Sequence, residues 1–351
     1  MSELEKGGLR FTVRKERKSI SVRDDRLVEV GALSAAASAP MVVSSLVPEL
    51  DLAGWIEGNR DFLESLLLKS GATLFRGFQI NEPQSFERAA SQICRELFNE
   101  NGEHPRTSAS PHVYQPVFYP PDKQLLWHNE NSFNYRFPKK IMFGCIKPAA
   151  TGGETPVADS REVYRRLDSK IVGLFEEKQV MYVRNYSPNL GLDWRTVFKT
   201  DSRAEVEKKC GESFFSFEWK SDGTLRTRCV RPAVVAHPAT REKTWFNQAQ
   251  HWHFSCLDAE TRDVFAKSFR EENFPRQCYF GDGSAIEDSI MKEILAVYKE
   301  LEAVYPWHAG DMILIDNLLT AHGRNPFTGE RKLLVAMGDM MSYDELTQEN
   351  L

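Results

Sequence analysis

Hydrophobic positions in the first third of the chain follow helical spacing in two places and extended spacing between them. In residues 59–69, apolar side chains recur at intervals of three and four, which predicts a helix that ends at the Ser-Gly pair that follows. Residues 72–78 (ATLFRGF) then predict a buried strand, and residues 84–97 predict a second amphipathic helix. Residues 105–122 contain five prolines and therefore predict a loop.

Later segments mix strand and helix signals. Short apolar runs predict strands at residues 140–147, 312–315 and 331–337, and helical spacing predicts a helix over residues 288–305. No glycine-rich phosphate loop follows any predicted strand, so a parallel dinucleotide-binding sheet is not indicated. Short strands joined by irregular turns favour a fold that is mainly β with flanking helices, either a barrel or a jelly roll.

The length of the chain fits one large domain or two ordinary ones. We expect residues 1–45 to form an irregular leader with one or two short strands, such as residues 9–13. Residues 46–351 are expected to form a single domain. A lid-like insertion is expected at about residues 160–275, where strand and helix signals alternate without the regularity of the flanking segments.

Composition narrows the class of function. The chain has 351 residues, of which 41% are hydrophobic and 27% charged, and its net charge is only −5. It has no basic run, so neither a nucleic-acid nor a membrane-surface partner is expected. Six cysteines without a metal-like spacing, and no recognisable secretory signal, favour reduced thiols in the cytoplasm. Nothing in the composition indicates an oligomeric state.

Two distant segments carry metal-binding residue types. Residues at positions i and i+2 of a strand point to the same side, so His128 and Glu130 can converge on one point. With His322, they would supply two imidazoles and one carboxylate, the facial set that holds non-haem Fe(II) with open coordination positions. The same three ligands and a water could instead hold Zn²⁺ for hydrolysis. An isolated His-x-Glu is common, so only the surrounding sequence can indicate whether these residues bind a metal and which metal it is.

That surrounding sequence resembles a known family. The segments are residues 127–133 (WHNENSF), 147–159 (KPAATGGETPVAD), 306–317 (PWHAGDMILIDN) and 321–332 (AHGRNPFTGERK), in this order. Together they resemble the taurine dioxygenase-like (TauD/TfdA) oxygenases, which include clavaminate synthase-like enzymes, over roughly residues 50–342. The resemblance implies a double-stranded β-helix (jelly roll), Fe(II) as cofactor, and 2-oxoglutarate and O2 as co-substrates.

The resemblance also assigns roles to individual positions. His128, Glu130 and His322 match the iron ligands of the family. Arg331 matches the arginine that binds the distal carboxylate of 2-oxoglutarate, a role that suits its planar guanidinium. Thr155 matches the threonine that assists at the same carboxylate, although a hydroxyl in a turn can equally satisfy the backbone.

Arg324 competes with Arg331 for the carboxylate, because it lies only two residues after His322. Alternatively, Arg324 pairs with an acid that braces the metal-binding loop. Under that interpretation it supports the site from outside the ligand set.

Two departures from the family pattern bear on the reaction. The carboxylate is Glu130 where many members have aspartate; its presence argues against halogenation, which needs that position vacated for a halide. Val335 stands where members that bind a free sulfonate or carboxylate substrate have a second arginine. Lys332 should face the opposite way on a strand. The substrate is therefore not expected to present a free acid group at Val335.

Residues 306–311 (PWHAGD) and 321–327 (AHGRNPF) most resemble the corresponding segments of a branch found with nonribosomal peptide synthesis. This implies hydroxylation of an unactivated C–H bond in an amino acid or amino-acid-derived metabolite, in specialised metabolism such as antibiotic biosynthesis. The substrate is either bound to a carrier protein or a free small molecule. Desaturation or cyclisation by the same iron chemistry is the alternative outcome, and a non-enzymatic jelly-roll binding or regulatory protein is the alternative class.

Polar residues near Trp245 are the candidates for substrate contact. Asn247 and Gln248 can orient an amine or amide, and with Asn131 and Val335 they are expected to line the pocket. His251 and His253 follow closely. Their spacing predicts one strand face near the pocket rim.

Overall fold

The computed structural model describes residues 27–34, 39–98, 110–116, 118–187 and 193–348. Its strands, in chain order, are β1 Val28–Ala32, β2 Met41–Ser45, β3 Ala72–Arg76, β4 Leu125–His128, β5 Arg136–Lys147, β6 Thr151–Gly152, β7 Val157–Asp159, β8 Val180–Tyr186, β9 Ser216–Trp219, β10 Leu225–Arg231, β11 Val234–Ala236, β12 Lys243–Trp245, β13 Arg276–Phe280, β14 Met312–Asp316, β15 Thr320–Arg324, β16 Phe327–Thr328 and β17 Lys332–Ser342. Its α-helices are α1 Leu52–Gly58, α2 Arg60–Ser70, α3 Pro83–Ile93, α4 Ser160–Arg166, α5 Ser169–Lys178, α6 Trp194–Phe198, α7 Arg203–Glu212, α8 Ala249–Trp252, α9 Ala259–Ser268, α10 Asp288–Leu301 and α11 Tyr343–Gln348.

The largest sheet has the strand order β1-β2-β3-β14-β5-β17 among the described residues. All of its pairings are antiparallel except β2 with β3. Side chains alternate between its faces, as a strand requires. Met312 and Leu314 pack with the helices of the N-terminal third, whereas Ile313 and Ile315 pack on the opposite face with Val157 of β7.

A smaller sheet, in the order β4-β15-β7, lies against that second face. Every residue of β15 is buried. Phe143 of β5 meets His322 of β15 between the two sheets, with ring centroids 5.1 Å apart. Two facing antiparallel sheets with helices outside form the jelly-roll arrangement that the sequence predicted.

The expected insertion forms a sheet of its own, in the order β13-β8-β10-β9. It extends to Phe280, a little beyond the expected end near residue 275. A large apolar cluster joins this sheet to α4, α5, α8, α10 and the start of the metal motif at Trp127. The insertion is thus packed against the barrel beside the segment that carries the first motif.

The expected leader is corrected by the pairing of β1 and β2. Both strands belong to the largest sheet, and β2 runs parallel to β3, so residues 28–32 and 41–45 are part of the fold rather than of a leader. The strand predicted at residues 9–13 lies outside the described residues. None of the helices within the described ranges is long and apolar enough to cross a membrane.

Most predicted elements are present with shifted ends. The helices predicted at residues 59–69, 84–97 and 288–305 correspond to α2, α3 and α10. The strand predicted at residues 331–337 begins at Lys332 and continues to Ser342, because its pairing with β5 runs the whole length of both strands. Part of the predicted loop at residues 105–122 lies outside the described residues.

Candidate metal centre

Three side chains converge where β4 pairs with β15. His128 and His322 stand directly opposite each other in the register, and Glu130 follows β4 by two residues. A carboxylate oxygen of Glu130 lies 3.6 Å from Nε2 of His128 and 3.8 Å from Nε2 of His322. One ligand atom from each residue lies within 4.8 Å of the other two. This separation suits three ligands of a single ion.

The orientation of His128 fits a metal ligand. Its Nδ1 lies 2.9 Å from the carbonyl oxygen of Leu126, which can only accept a hydrogen bond. The proton of a neutral imidazole is therefore on Nδ1, and the lone pair is on Nε2, directed towards Glu130. Two imidazole nitrogens and a carboxylate oxygen form a donor set that suits Fe(II). The residues thus fit the ion that the family resemblance implies.

Asn317 fixes the backbone of Glu130. Its side-chain oxygen accepts from the Glu130 amide at 2.7 Å, and its side-chain nitrogen donates to the Glu130 carbonyl at 3.0 Å and to the Pro138 carbonyl at 2.8 Å. Asn317 is fully buried, so these bonds face little competition from water. A single amide therefore ties the carboxylate-bearing loop to the segment that leads into β15.

A buried hydrogen-bonded pair, His237 and Asp316, holds the turn that contains Asn317. Nε2 of His237 lies 3.2 Å from a carboxylate oxygen of Asp316, and both side chains are inaccessible to solvent. Nδ1 of His237 accepts from backbone amides, which leaves its proton on Nε2 facing Asp316. The other oxygen of Asp316 accepts from the amides of Leu318 and Leu319. Burial raises the pKa of Asp316, but His237, Lys139 and the Leu319 amide together outweigh this, so the pKa lies below its ordinary value.

Arg331 lies beside the glycine-rich segment between β6 and β7. Its Nε donates to the carbonyl of Gly153 at 2.9 Å. A Cβ at Gly153 would approach Nε of Arg331 to 3.1 Å, so the bare glycine backbone admits the arginine. Burial lowers the pKa of Arg331 to about 10, with a contribution from the charge of Arg324, yet the group is still protonated at neutral pH. A partly buried guanidinium is suited to a carboxylate ligand.

Thr155 follows Gly153 by two residues and is buried. Its hydroxyl oxygen accepts from the indole nitrogen of Trp307 at 3.2 Å. The hydroxyl still has a proton to donate, so this contact is compatible with the expected role beside Arg331.

Arg324 has a different set of contacts from Arg331. Its guanidinium donates to the carbonyls of Pro120 at 2.7 Å, Lys123 at 2.5 Å and Tyr119 at 3.4 Å. It therefore braces the loop before β4, as the second interpretation held, but through backbone carbonyls rather than through an acid. This geometry favours Arg331 over Arg324 as the carboxylate ligand.

Two of the expected substrate residues support the fold. Asn247 is fully buried and bonds the Ala233 carbonyl and the Ala249 amide. Gln248 donates to the carbonyl of Asn129 at 2.7 Å and accepts from Trp252. Their polar atoms are engaged within the fold; that both line the substrate pocket stays a prediction. Gln248 acts on the metal motif by holding its backbone.

The other two candidates remain at the site. Asn131 directly follows Glu130, is partly exposed, and has a φ of 56°, a conformation that asparagine tolerates better than most residues. Val335 is buried in an apolar cluster with Tyr114, Ile141 and Met337. Its position is therefore apolar, as the absence of a second arginine implied.

The prediction of a strand at His251 and His253 is wrong, because a single helical turn, α8, occupies this segment. His253 caps the end of that turn and bonds Ser255 and Ile286. The ring of His251 instead stacks on that of His128, with centroids 4.9 Å apart and planes 10° apart. Periodicity over four residues cannot distinguish these structures.

Family comparison extends over most of the chain. The model of the "Taurine catabolism dioxygenase TauD, TfdA family" matches residues 36–337. The dapdiamide synthesis protein DdaC of Enterobacter agglomerans is 37% identical over 278 residues, which is 79% of this chain and 84% of that protein. A clavaminate synthase-like protein of Arabidopsis thaliana is 31% identical over 313 residues, covering 85% and 91%.

Solved structures confirm the jelly-roll fold. A putative α-ketoglutarate-dependent taurine dioxygenase from Burkholderia xenovorans superposes with a TM-score of 0.52 at 16% identity, covering 90% of this chain and 95% of that one. The PvcB protein of Pseudomonas aeruginosa superposes with a TM-score of 0.52 at 15% identity, covering 90% and 92%.

Proposed function

The chain belongs to the TauD/TfdA family and is an Fe(II)/2-oxoglutarate-dependent oxygenase, and on this premise we propose that it hydroxylates an aliphatic C–H bond of an amino-acid-derived substrate. In this proposal His128, Glu130 and His322 hold the iron. Arg331, assisted by Thr155, binds the distal carboxylate of 2-oxoglutarate.

The observation that carries the proposal is the convergence of the three ligand atoms within 4.8 Å on paired strands. A structural His-x-Glu would have no reason to face a second imidazole from a distant strand. Zinc hydrolysis would use the same triad, but it would leave the partly buried guanidinium of Arg331 without a function. The presence of Glu130 speaks against halide binding at the carboxylate position.

Each residue of the site has a distinct task. Bound iron, with 2-oxoglutarate and O2, supplies the oxidising power needed to break an unactivated C–H bond. Leu126 keeps His128 in the tautomer that offers Nε2, and Asn317 holds Glu130 by its backbone. Arg331 orients the co-substrate through a planar, charged donor pair. A co-substrate held in this way is already positioned to react, so little further entropy is lost on reaching the transition state.

The class of substrate is inferred from a relative and from Val335. The relative DdaC is named a dapdiamide synthesis protein, which supports a biosynthetic role for this chain. At the buried, apolar Val335 the site offers no charge to a free acid group. A thioester-linked amino acid lacks that acid group, which favours a carrier-bound substrate over a free one. Desaturation or ring closure would need the same site.

Succinate formation tests this proposal. The enzyme, with Fe(II), 2-oxoglutarate and O2, would be offered free amino acids and the same amino acids loaded on a carrier protein, and the organic product would be identified by mass. We expect succinate formation coupled to a product heavier by one oxygen, with carrier-bound substrates preferred. Robust turnover of free amino acids, without turnover of the carrier-bound ones, would contradict the carrier-bound substrate. A product two hydrogens lighter than the substrate would indicate desaturation.

A further inference from the structure

The insertion sheet presents two guanidinium groups side by side. Arg184 of β8 and Arg276 of β13 are direct partners in the antiparallel register. Directly opposed residues project from the same face of a sheet, so both cations belong to one face. Arg184 is buried, whereas Arg276 is partly exposed and is therefore the one of the two that a ligand can reach.

This face is directed towards the metal motif. Tyr182 precedes Arg184 by two residues and shares its face; its hydroxyl accepts from the Gln248 amide at 2.9 Å, and Gln248 holds the carbonyl of Asn129. The guanidinium of Arg276 lies over the ring of Trp252, 5.3 Å from its centroid. Both residues thus face the elements that support the iron ligands.

Trp252 and His251 lie between Arg276 and the metal centre along this path. His251 precedes Trp252 and stacks on the ring of His128. Burial raises the pKa of Tyr119 in the loop before β4, and Arg276 is one of the cations that lower it. Together with its contact to Trp252 of α8, this places the guanidinium of Arg276 between that loop and α8.

We propose that Arg276 binds a carboxylate of the substrate and is the specificity-determining cation of this enzyme. A planar guanidinium held over an indole ring is already oriented for bidentate carboxylate binding. Val335 leaves the opposite, barrel-side wall apolar. The acid group is therefore bound from the insertion rather than from β17. The inference rests on the proposed function, because it names the substrate class of the same site.

Matched acid and amide probes test the assignment. The enzyme would be titrated calorimetrically with aspartate, asparagine, glutamate and glutamine, each free and as its pantetheine thioester. Variants would be Arg276→Gln, Arg276→Lys and, as a matched control, Arg228→Gln. Arg228 lies on β10 opposite Val183, and hence on the other face of the same sheet. Thermal unfolding of each variant would exclude loss of the fold.

We expect at least one acid to bind the parent enzyme about tenfold or more tightly than its amide. Arg276→Gln should abolish this preference, Arg276→Lys should retain part of it, and Arg228→Gln should leave it intact. The preference reports on the side-chain carboxylate alone, because an acid and its amide share the same α-carboxylate or thioester. A preference retained in the thioesters therefore supports the binding of a side-chain acid of a carrier-bound substrate by Arg276.

The absence of any acid preference in the parent enzyme, or its persistence in Arg276→Gln, would overturn the inference. Calorimetry reads binding without turnover, so this failure is distinct from failure of the proposed function. The proposed function would instead fail if Fe(II) and 2-oxoglutarate did not support oxidation of any substrate. Acid binding could then still be measured on the same protein.

Discussion

The barrel and the insertion form the two walls of the site, and they are held by different forces. On the barrel side, buried amide and carboxylate groups hold the ligand segments through short hydrogen bonds, as Asn317 and Asp316 do. On the insertion side, ring contacts accompany the hydrogen bond from Gln248 to the Asn129 carbonyl: His251 stacks on His128, and Arg276 lies over Trp252. Hydrogen bonds fix direction closely, whereas ring contacts tolerate small displacements.

This difference separates two tasks. A metal site needs ligands held to within a fraction of an ångström, which the buried polar groups of the barrel provide. Substrate choice needs a surface that can change without disturbing the ligands, and the insertion offers such a surface. Variants in the barrel should therefore alter iron and co-substrate binding, whereas variants in the insertion should alter substrate preference. The following predictions test that division, beginning with the largest expected effect.

Replacing Glu130 with alanine should abolish oxidation, because it removes one of three ligands and leaves two imidazoles. Succinate formation and Fe(II) affinity would both be measured, and both should fall below detection or nearly so. Glu130→Asp is the matched control, since it keeps a carboxylate and should retain iron binding. Unchanged substrate-coupled succinate formation in Glu130→Ala would overturn the ligand assignment.

Replacing Arg331 with lysine should raise the KM for 2-oxoglutarate about 10- to 100-fold, because an ammonium cannot reproduce two charged, planar hydrogen bonds. Steady-state kinetics at varied 2-oxoglutarate measure this directly. Lys332→Gln is the control; its side chain is exposed next to Arg331 and should leave the KM unchanged. If Arg324→Lys raised the KM and Arg331→Lys did not, the two arginines would have to exchange roles.

Replacing Asn317 with alanine should weaken Fe(II) binding about 10- to 100-fold, because the backbone of Glu130 loses its support. Stability should fall by about 1–3 kcal/mol in the same variant. Asn185→Ala is the counterpart in the insertion, where a buried asparagine bonds the carbonyls of Phe274 and Glu272.

Asn185→Ala should lose comparable stability yet bind iron normally. Anaerobic iron titration and denaturant unfolding of the metal-free proteins separate the two effects. Equal loss of iron affinity in both variants would remove the distinction between barrel and insertion.

Replacing Asp316 with asparagine should lower stability at neutral pH by about 1–3 kcal/mol, since the buried pair with His237 is lost. Folding depresses the pKa of this carboxyl, so its contribution is complete above the unfolded pKa near 4 and is lost as pH falls through the lower folded value. The difference from the parent protein should therefore narrow below about pH 4.

Urea unfolding at several pH values would measure that difference. Asp263→Asn is the control; Asp263 is an exposed residue of α9 whose replacement should change stability by less than about 0.5 kcal/mol. A difference between the Asp316→Asn and parent proteins that stayed constant across the whole pH range would show that Asp316 is not charged in the folded protein.

The barrel side was largely predictable from sequence. His128, Glu130 and His322 lie in distinctive segments that follow one another in the order typical of the family. Strand alternation then places the first two residues on one side. Asn317 stood within a quoted motif, yet its function depends on which backbone groups it meets across the barrel. No local pattern encodes a pairing between residues 187 positions apart.

The insertion side was predicted poorly, for identifiable reasons. Asn247 and Gln248 have side chains typical of pocket residues, but both are buried and their amide groups hydrogen-bond to backbone carbonyls. The helical turn at His251 is too short to show a period. Arg276 acquires its position from the register of β13 with β8, and register depends on contacts that a single sequence does not contain.

The most direct test of the central claim is an anaerobic titration of the metal-free protein with Fe(II) and 2-oxoglutarate, followed in the visible spectrum. We predict a charge-transfer band that requires both components, saturates at one iron per chain, and is absent in Glu130→Ala. If the parent protein bound neither component, or if the band persisted unchanged in Glu130→Ala, the assignment of His128, Glu130 and His322 as the iron site would be wrong.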